Sequence, residues 1–265
     1  RFVMRQKGIK QRLLAGREKM FSQQGNFSLR SLILVVVLLI SGAVSASDQP
    51  PAGVKVIEAP DVKVGDSWIY NYKEGPSLRM AQEDGRRIFV VESITDNEII
   101  FAVTRGEGGA YWRETNDKQL NIISRPDRRP GHQFRKYTPH NSRFSFPLWE
   151  GKKWKAKYKV ESAIWQGDYE VKGRATGWEK VTVPAGTFDA LKIVNKIEWS
   201  GRRTDLFRDY SGEAENIYWY APEVKRFVKS TWESLEGRAE WDSLRRAQRG
   251  WTRGTSFELV EYKLK

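Results

Sequence analysis

From about residue 60 onward, short runs of alternating apolar and polar positions recur between turn residues, while apolar spacings of three and four sustained over several turns are nearly absent. This pattern predicts an all-β chain: an antiparallel curved sheet or half-barrel with at most one short helix. Ile88 to Ile94 and Ile99 to Val103 flank Thr95-Asp96-Asn97-Glu98, residues that tolerate a tight hairpin turn. Ala156 to Trp165 is expected to turn through Gln166-Gly167-Asp168 and return with Tyr169 and Val171. Trp178 to Val183 meets Pro184-Ala185-Gly186, and the next strand sets Leu191, Ile193, Ile197 and Trp199 against Lys192, Lys196 and Glu198. Ile217 to Tyr220, Arg226 to Trp232 and Phe257 to Leu264 complete the predicted strands. The one helix candidate is Glu236 to Arg249, on the weak stripe of Ala239, Leu244 and Ala247.

One internal match stands out. Gly65-Asp66-Ser67-Trp68 with Tyr72 and Gly151-Lys152-Lys153-Trp154 with Tyr158 share the form G-x-x-W-x-x-x-Y, each at the start of a strand. Glycine makes the turn, and a Trp and Tyr four apart project from one face. The match suggests a duplicated β-meander, with a first half over 47–140, a second over 141–265, and 125–145 as the loop between them. One continuous domain over 55–265 satisfies the same pattern.

The N-terminal segment changes how charge is read. Arg17, Lys19 and Arg30 precede the apolar run Leu32 to Ile40, which continues to Val44 and ends in Val44-Ser45-Ala46. That is the order of a secretory signal peptide, with cleavage expected after Ala46 and translation starting at Met20. The run is shorter than the roughly 20 apolar residues of a membrane span, so no transmembrane span is expected after cleavage. The expected location is the periplasm or the exterior of a bacterial cell. The formal net charge of +13 falls to +6 beyond residue 46, with 38 basic against 32 acidic residues. That excess sets solubility and attraction to anionic surfaces, and nucleic acid is not an expected partner.

Absence of cysteine excludes disulfides, thiol nucleophiles, Cys-ligated zinc and the lipidated cysteine of a lipoprotein. Stability must then come from a core rich in aromatic residues, to which eleven Trp contribute. Gly65-Asp66-Ser67 resembles the opening of a G-D-S esterase block, but the matching turn carries lysines at the second and third positions, and no Asp-x-x-His follows to supply a base. His132 and His140 lie among Arg128, Arg129 and Arg135, which disfavours a metal. No catalytic residue, metal ligand or cofactor is assigned. Trp68, Tyr70, Trp154, Trp165, Trp199 and Trp219 are candidate lining residues for a hydrophobic ligand. Two basic stretches, Arg125 to Lys136 and Arg238 to Arg253, offer Arg128, Arg129, Arg245, Arg246 and Arg249 as anion-binding candidates, with Trp241 and Trp251 interleaved in the second.

Val181-Thr182-Val183-Pro184-Ala185-Gly186-Thr187-Phe188-Asp189-Ala190-Leu191-Lys192-Ile193, with Tyr218-Trp219-Tyr220-Ala221-Pro222-Glu223-Val224 and Phe227-Val228, resembles the TapB-like family of bacterial exported proteins of unknown function. Phe146-Pro147-Leu148 with Gly151 and Trp154, and the terminal Glu258 to Tyr262, resemble the same family. The resemblance implies export and a curved antiparallel sheet, and it supplies no established catalytic residues to carry over. The expectation is a noncatalytic cell-envelope protein that binds or carries a lipid or other hydrophobic small molecule. The alternatives are a structural or assembly partner in an envelope complex and a hydrolase of envelope polysaccharide or lipid.

Overall fold

The computed structural model describes residues 49–75, 83–106, 108–126, 134–238 and 253–265. The leader read at 1–46 lies outside them. Twelve strands follow in order: β1 (Ser67–Gly75), β2 (Glu83–Ile94), β3 (Glu98–Arg105), β4 (Tyr111–Asp117), β5 (Ile122–Arg125), β6 (Arg135–Thr138), β7 (Lys153–Ser162), β8 (Trp165–Val183), β9 (Gly186–Arg203), β10 (Arg208–Ala221), β11 (Arg226–Arg238) and β12 (Arg253–Lys263). Each is antiparallel to its neighbours in sequence, and β12 pairs back onto β1. The all-β antiparallel expectation therefore holds, and the sheet goes beyond a half-barrel to a closed barrel. Closure rests on pairs from Ser67↔Lys263 to Gly75↔Gly254, between segments too distant in sequence for any local pattern to couple. It leaves the sheet without an open edge.

Three local expectations are corrected. Gln166-Gly167-Asp168 is not a turn: β7 ends at Ser162 and β8 begins at Trp165, so Gly167 lies inside a strand. Its lack of a Cβ serves close packing, since a Cβ there would fall 2.8 Å from Trp165 Nε1. The stretch 125–145 is not all loop, because β6 forms within it, paired on both sides by β5 and β7. Of the helix candidate, Glu236, Gly237 and Arg238 belong to strand β11, and the remainder lies outside the described residues.

The repeated turn takes the same form twice. Gly65 and Gly151 have φ of +90° and +89°, the left-handed region that glycine enters without penalty. Gly65 N–H donates to Val91 O while Asp66 O accepts from Val91 N; Gly151 N–H donates to Ala175 O while Lys152 O accepts from Ala175 N. The second position is buried in both copies. Asp66 accepts from the backbone N–H of Lys63 and Lys265, whereas Lys152 Nζ donates to the carbonyls of Ser145 and Pro147. Opposite charges thus do the same job of tying down a neighbouring segment. Asp66 is thereby engaged in structure.

Side chains alternate across the wall. On β7, Lys153, Lys155, Lys157 and Lys159 face out, while Tyr158 and Val160 are buried. A charged exterior around a partly apolar lumen is the reverse of a membrane barrel, and no helix among the described residues is long and apolar enough to cross a membrane. Two apolar clusters fill the interior. The larger joins Trp68, Tyr70, Phe89, Phe101, Leu191 and Ile193 to Phe144, Phe146 and Leu148 from the β6–β7 connection. The smaller is built on Tyr137, Tyr158, Val160, Trp165, Val171 and Ile197. Eight strands make a barrel that side chains can just fill, and larger barrels leave space. Twelve leave a lumen here.

Candidate functional site

That lumen holds a cavity of about 620 Å³, lined by side chains of β2, of β4 to β12 and of the β6–β7 connection. The size suits a small organic ligand. Small residues on the inner face of β8 to β10 make room for rings. A Cβ at Gly173 would meet the Trp154 indole at 2.1 Å, one at Gly201 the Trp165 ring at 2.4 Å, and one at Gly212 the Trp199 ring at 2.5 Å. The Trp165 and Trp199 rings meet edge to face at 5.5 Å between centroids, and Trp199 stacks on Tyr169. Burial raises the pKa of the Tyr158 and Tyr218 hydroxyls, so both stay protonated at neutral pH and can donate.

The six candidate lining residues are distributed over three settings. Trp165, buried, and Trp199, half-buried, line the cavity. Trp68 and Tyr70 are fully buried in the larger cluster, donating to Val224 O and Phe227 O, each at 2.8 Å. Trp154 covers Gly173 and donates to Ser142 O at 3.3 Å. Trp219 stands in a wall group in which its Nε1 donates to Glu179 Oε2 at 2.7 Å and its ring lies under Lys192 and Lys229. The anion-binding candidates Arg128, Arg129, Arg245, Arg246 and Arg249 lie outside the described residues. So does His132. His140 accepts from the Ser142 backbone N–H, and no metal-binding group of three or more His or acidic residues occurs among the described residues.

Arginines of the lumen wall were missed by the sequence reading as individual site residues. Arg125, Arg135, Arg143, Arg203, Arg226 and Arg253 line the cavity, with Glu114 the carboxylate among its lining residues. Asp205 pairs with Arg203, and Glu74 lies 3.9 Å from Arg253. Deeper, Arg143 is buried; its Nε donates to Leu120 O at 2.7 Å, its own carbonyl accepts from Asn195 Nδ2, and its Nη2 lies 3.7 Å from Glu114. Arg226 is only 3% exposed. Its guanidinium lies over the Phe89 ring at 4.1 Å and the Phe101 ring at 4.8 Å. Burial lowers its pKa, and nearby Arg143 adds to that. A period-2 signal for two of these residues existed: Arg203 continues the inward phase of Ile193, Ile197 and Trp199, and Arg253 that of Phe257 and Leu259. Arg143 carried none, because it sits on an irregular connection held by Asn and Gln side chains.

A second concavity, an open groove of about 770 Å³ on the wall of β6 to β11, collects Glu170, Glu198 and Glu213 on adjacent strands. A carboxylate pair that divides acid and base roles needs one member pushed up. Here Lys172 binds Glu198 at 2.7 Å and holds its carboxyl below the usual range, and Lys157 lies 3.7 Å from Glu170. The groove has the character of an ion-paired surface.

No family model matches the chain, and no curated protein matches it. Among solved structures it is similar to an inferred lipoprotein of Parabacteroides distasonis, with 14% identity and a TM-score of 0.41, covering 79% of this chain and all of that one. An inferred exported protein with YmcC-like fold from Bacteroides fragilis gives 12% identity and a TM-score of 0.41 over the same shares. The hypothetical lipoprotein YmcC of Escherichia coli gives 10% identity and 0.39, covering 74% of this chain and 84% of that one.

Proposed function

We propose that this protein is a noncatalytic binding or carrier protein of the bacterial cell envelope whose lumen takes up a lipid or other hydrophobic small molecule. The observation that carries this reading is the aromatic-lined cavity of about 620 Å³ inside a barrel with a charged exterior. The signal-peptide pattern of 1–46 supports the location, and the phrases of 181–228 support kinship with the TapB-like proteins. The test is native mass spectrometry of the mature chain purified from bacterial envelope. A bound species that leaves on unfolding is the expected result, and a clean ligand-free mass overturns the reading.

The assembly-partner reading is favoured by one observation, the exposed pair Leu206 and Phe207 at the β9–β10 turn, with Phe207 at 78% exposure. Crosslinking in the envelope tests it. A partner that is captured by the native chain and lost in a Leu206→Ser, Phe207→Ser double variant supports it, and no difference between the two sinks it.

A further inference from the structure

We propose that the lumen is a site for an oxyanion, a phosphate- or carboxylate-type head group, seated against Arg143 and Arg226 with Arg125 beside them. This rests on the lumen being a binding cavity, and it adds the chemistry of the ligand's polar end.

The argument begins from charge. Arg203 and Arg253 have Asp205 and Glu74 nearby, and Arg135 has a contact of its own, which leaves Arg125, Arg143 and Arg226 with Glu114, the carboxylate among the lining residues. That carboxylate stands 3.7 Å from Arg143, too far for a hydrogen bond. Burying a guanidinium without full compensation is unfavourable, so a fold that assembles three of them over one carboxylate carries a standing penalty that an anion would relieve.

Hydrogen bonding points the same way. Arg226 Nη1 is buried and has no hydrogen-bond partner among the described residues, and aromatic faces on Phe89 and Phe101 hold the group without using its N–H donors. Trp165 Nε1, another donor on the lining, is likewise buried without a partner. Arg143 is fixed at both ends, its Nε donating to Leu120 O and its own carbonyl accepting from the Asn195 side-chain amide, so its outer nitrogens are placed before any ligand arrives. Arginine binds oxyanions as a planar fork. A head group at this depth would leave its apolar portion against Tyr158, Tyr169 and Trp199.

Calorimetry on the mature chain with four probes tests this: dodecyl phosphate, dodecanoate, dodecanol and inorganic phosphate. Charge-assisted hydrogen bonds predict that dodecyl phosphate or dodecanoate binds roughly tenfold or more tighter than dodecanol. Arg226→Gln and Arg143→Gln should each erase most of that preference while leaving dodecanol affinity in place. Where either fails to fold, Arg125→Gln, at a half-buried position, should reduce the preference in folded protein. Equal affinity for dodecanol and dodecyl phosphate overturns the oxyanion site and leaves the hydrophobic cavity standing. A preference untouched by all three substitutions overturns the assignment to these arginines. Binding of inorganic phosphate alone keeps the oxyanion site and removes the lipid, and no binding by any probe removes both readings.

Discussion

At Gly151 the backbone sits at φ +89° with no atom within 4 Å of where a Cβ would stand, so an alanine there meets conformational strain and nothing else. Gly151→Ala should therefore cost about 1–2 kcal/mol, read as a lower denaturant midpoint with an unchanged slope. Gly65→Ala should cost about as much, because the atoms its new methyl meets are the far end of the flexible, exposed Lys265 side chain, which can swing aside. The two glycines were recognisable as a pair because the residues after them repeat. The roles of Asp66 and Lys152 were not, since a buried carboxylate and a buried ammonium look like opposites in sequence. They become equivalent once each is seen binding the backbone of a segment that crosses beside it. Trp68 and Trp219 make a similar point: the same residue type is a buried donor to Val224 O in one case and a wall residue beside Glu179 in the other.

Among the elements, β8, β9 and β10 form the longest part of the wall, and their neighbouring residues Glu179, Lys192 and Trp219 interlock across it. The Trp219 indole N–H, and then Lys192, hold the Glu179 carboxyl below its ordinary value of 4.5. A depressed carboxylate contributes stability that is complete above the ordinary value and is lost as pH falls through the lowered one. Glu179→Gln should therefore be less stable than the native chain at neutral pH, with the gap closing on acidification below about pH 4.5. The effect should be small, because the pair is solvent-screened. Paired thermal melts at pH 7 and pH 3 check it, and a gap that is the same at both removes Glu179 ionisation as its cause. The strands themselves were legible where alternation was strict, as in Leu191 to Trp199. They were misjudged where glycine serves ring packing, as at Gly167, because a glycine in sequence does not say whether it bends the chain or makes space for an indole.

For the molecule as a whole, the decisive contact is β12 against β1. Leu259 is fully buried, and Lys265 N–H donates to Asp66 at 2.7 Å, so the last strand completes the core as well as the hydrogen-bonded ring. Deleting 253–265 should leave β1 and β11 as open edges. Loss of a cooperative melt together with aggregation on size-exclusion chromatography is the expected outcome; a monomer with the native midpoint would show that closure contributes little.

Alternation of apolar and polar positions, together with the aromatic content and the lack of cysteine, was enough to determine an antiparallel β protein held by its core, because side-chain period and burial are local properties that each strand carries by itself. Closure of the sheet, the identity of the lumen wall and the gathering of Arg125, Arg143 and Arg226 were decided only in three dimensions. Those residues come from a short strand, an irregular connection and the start of a later strand. What unites them is a shared interior that exists only after β12 has met β1.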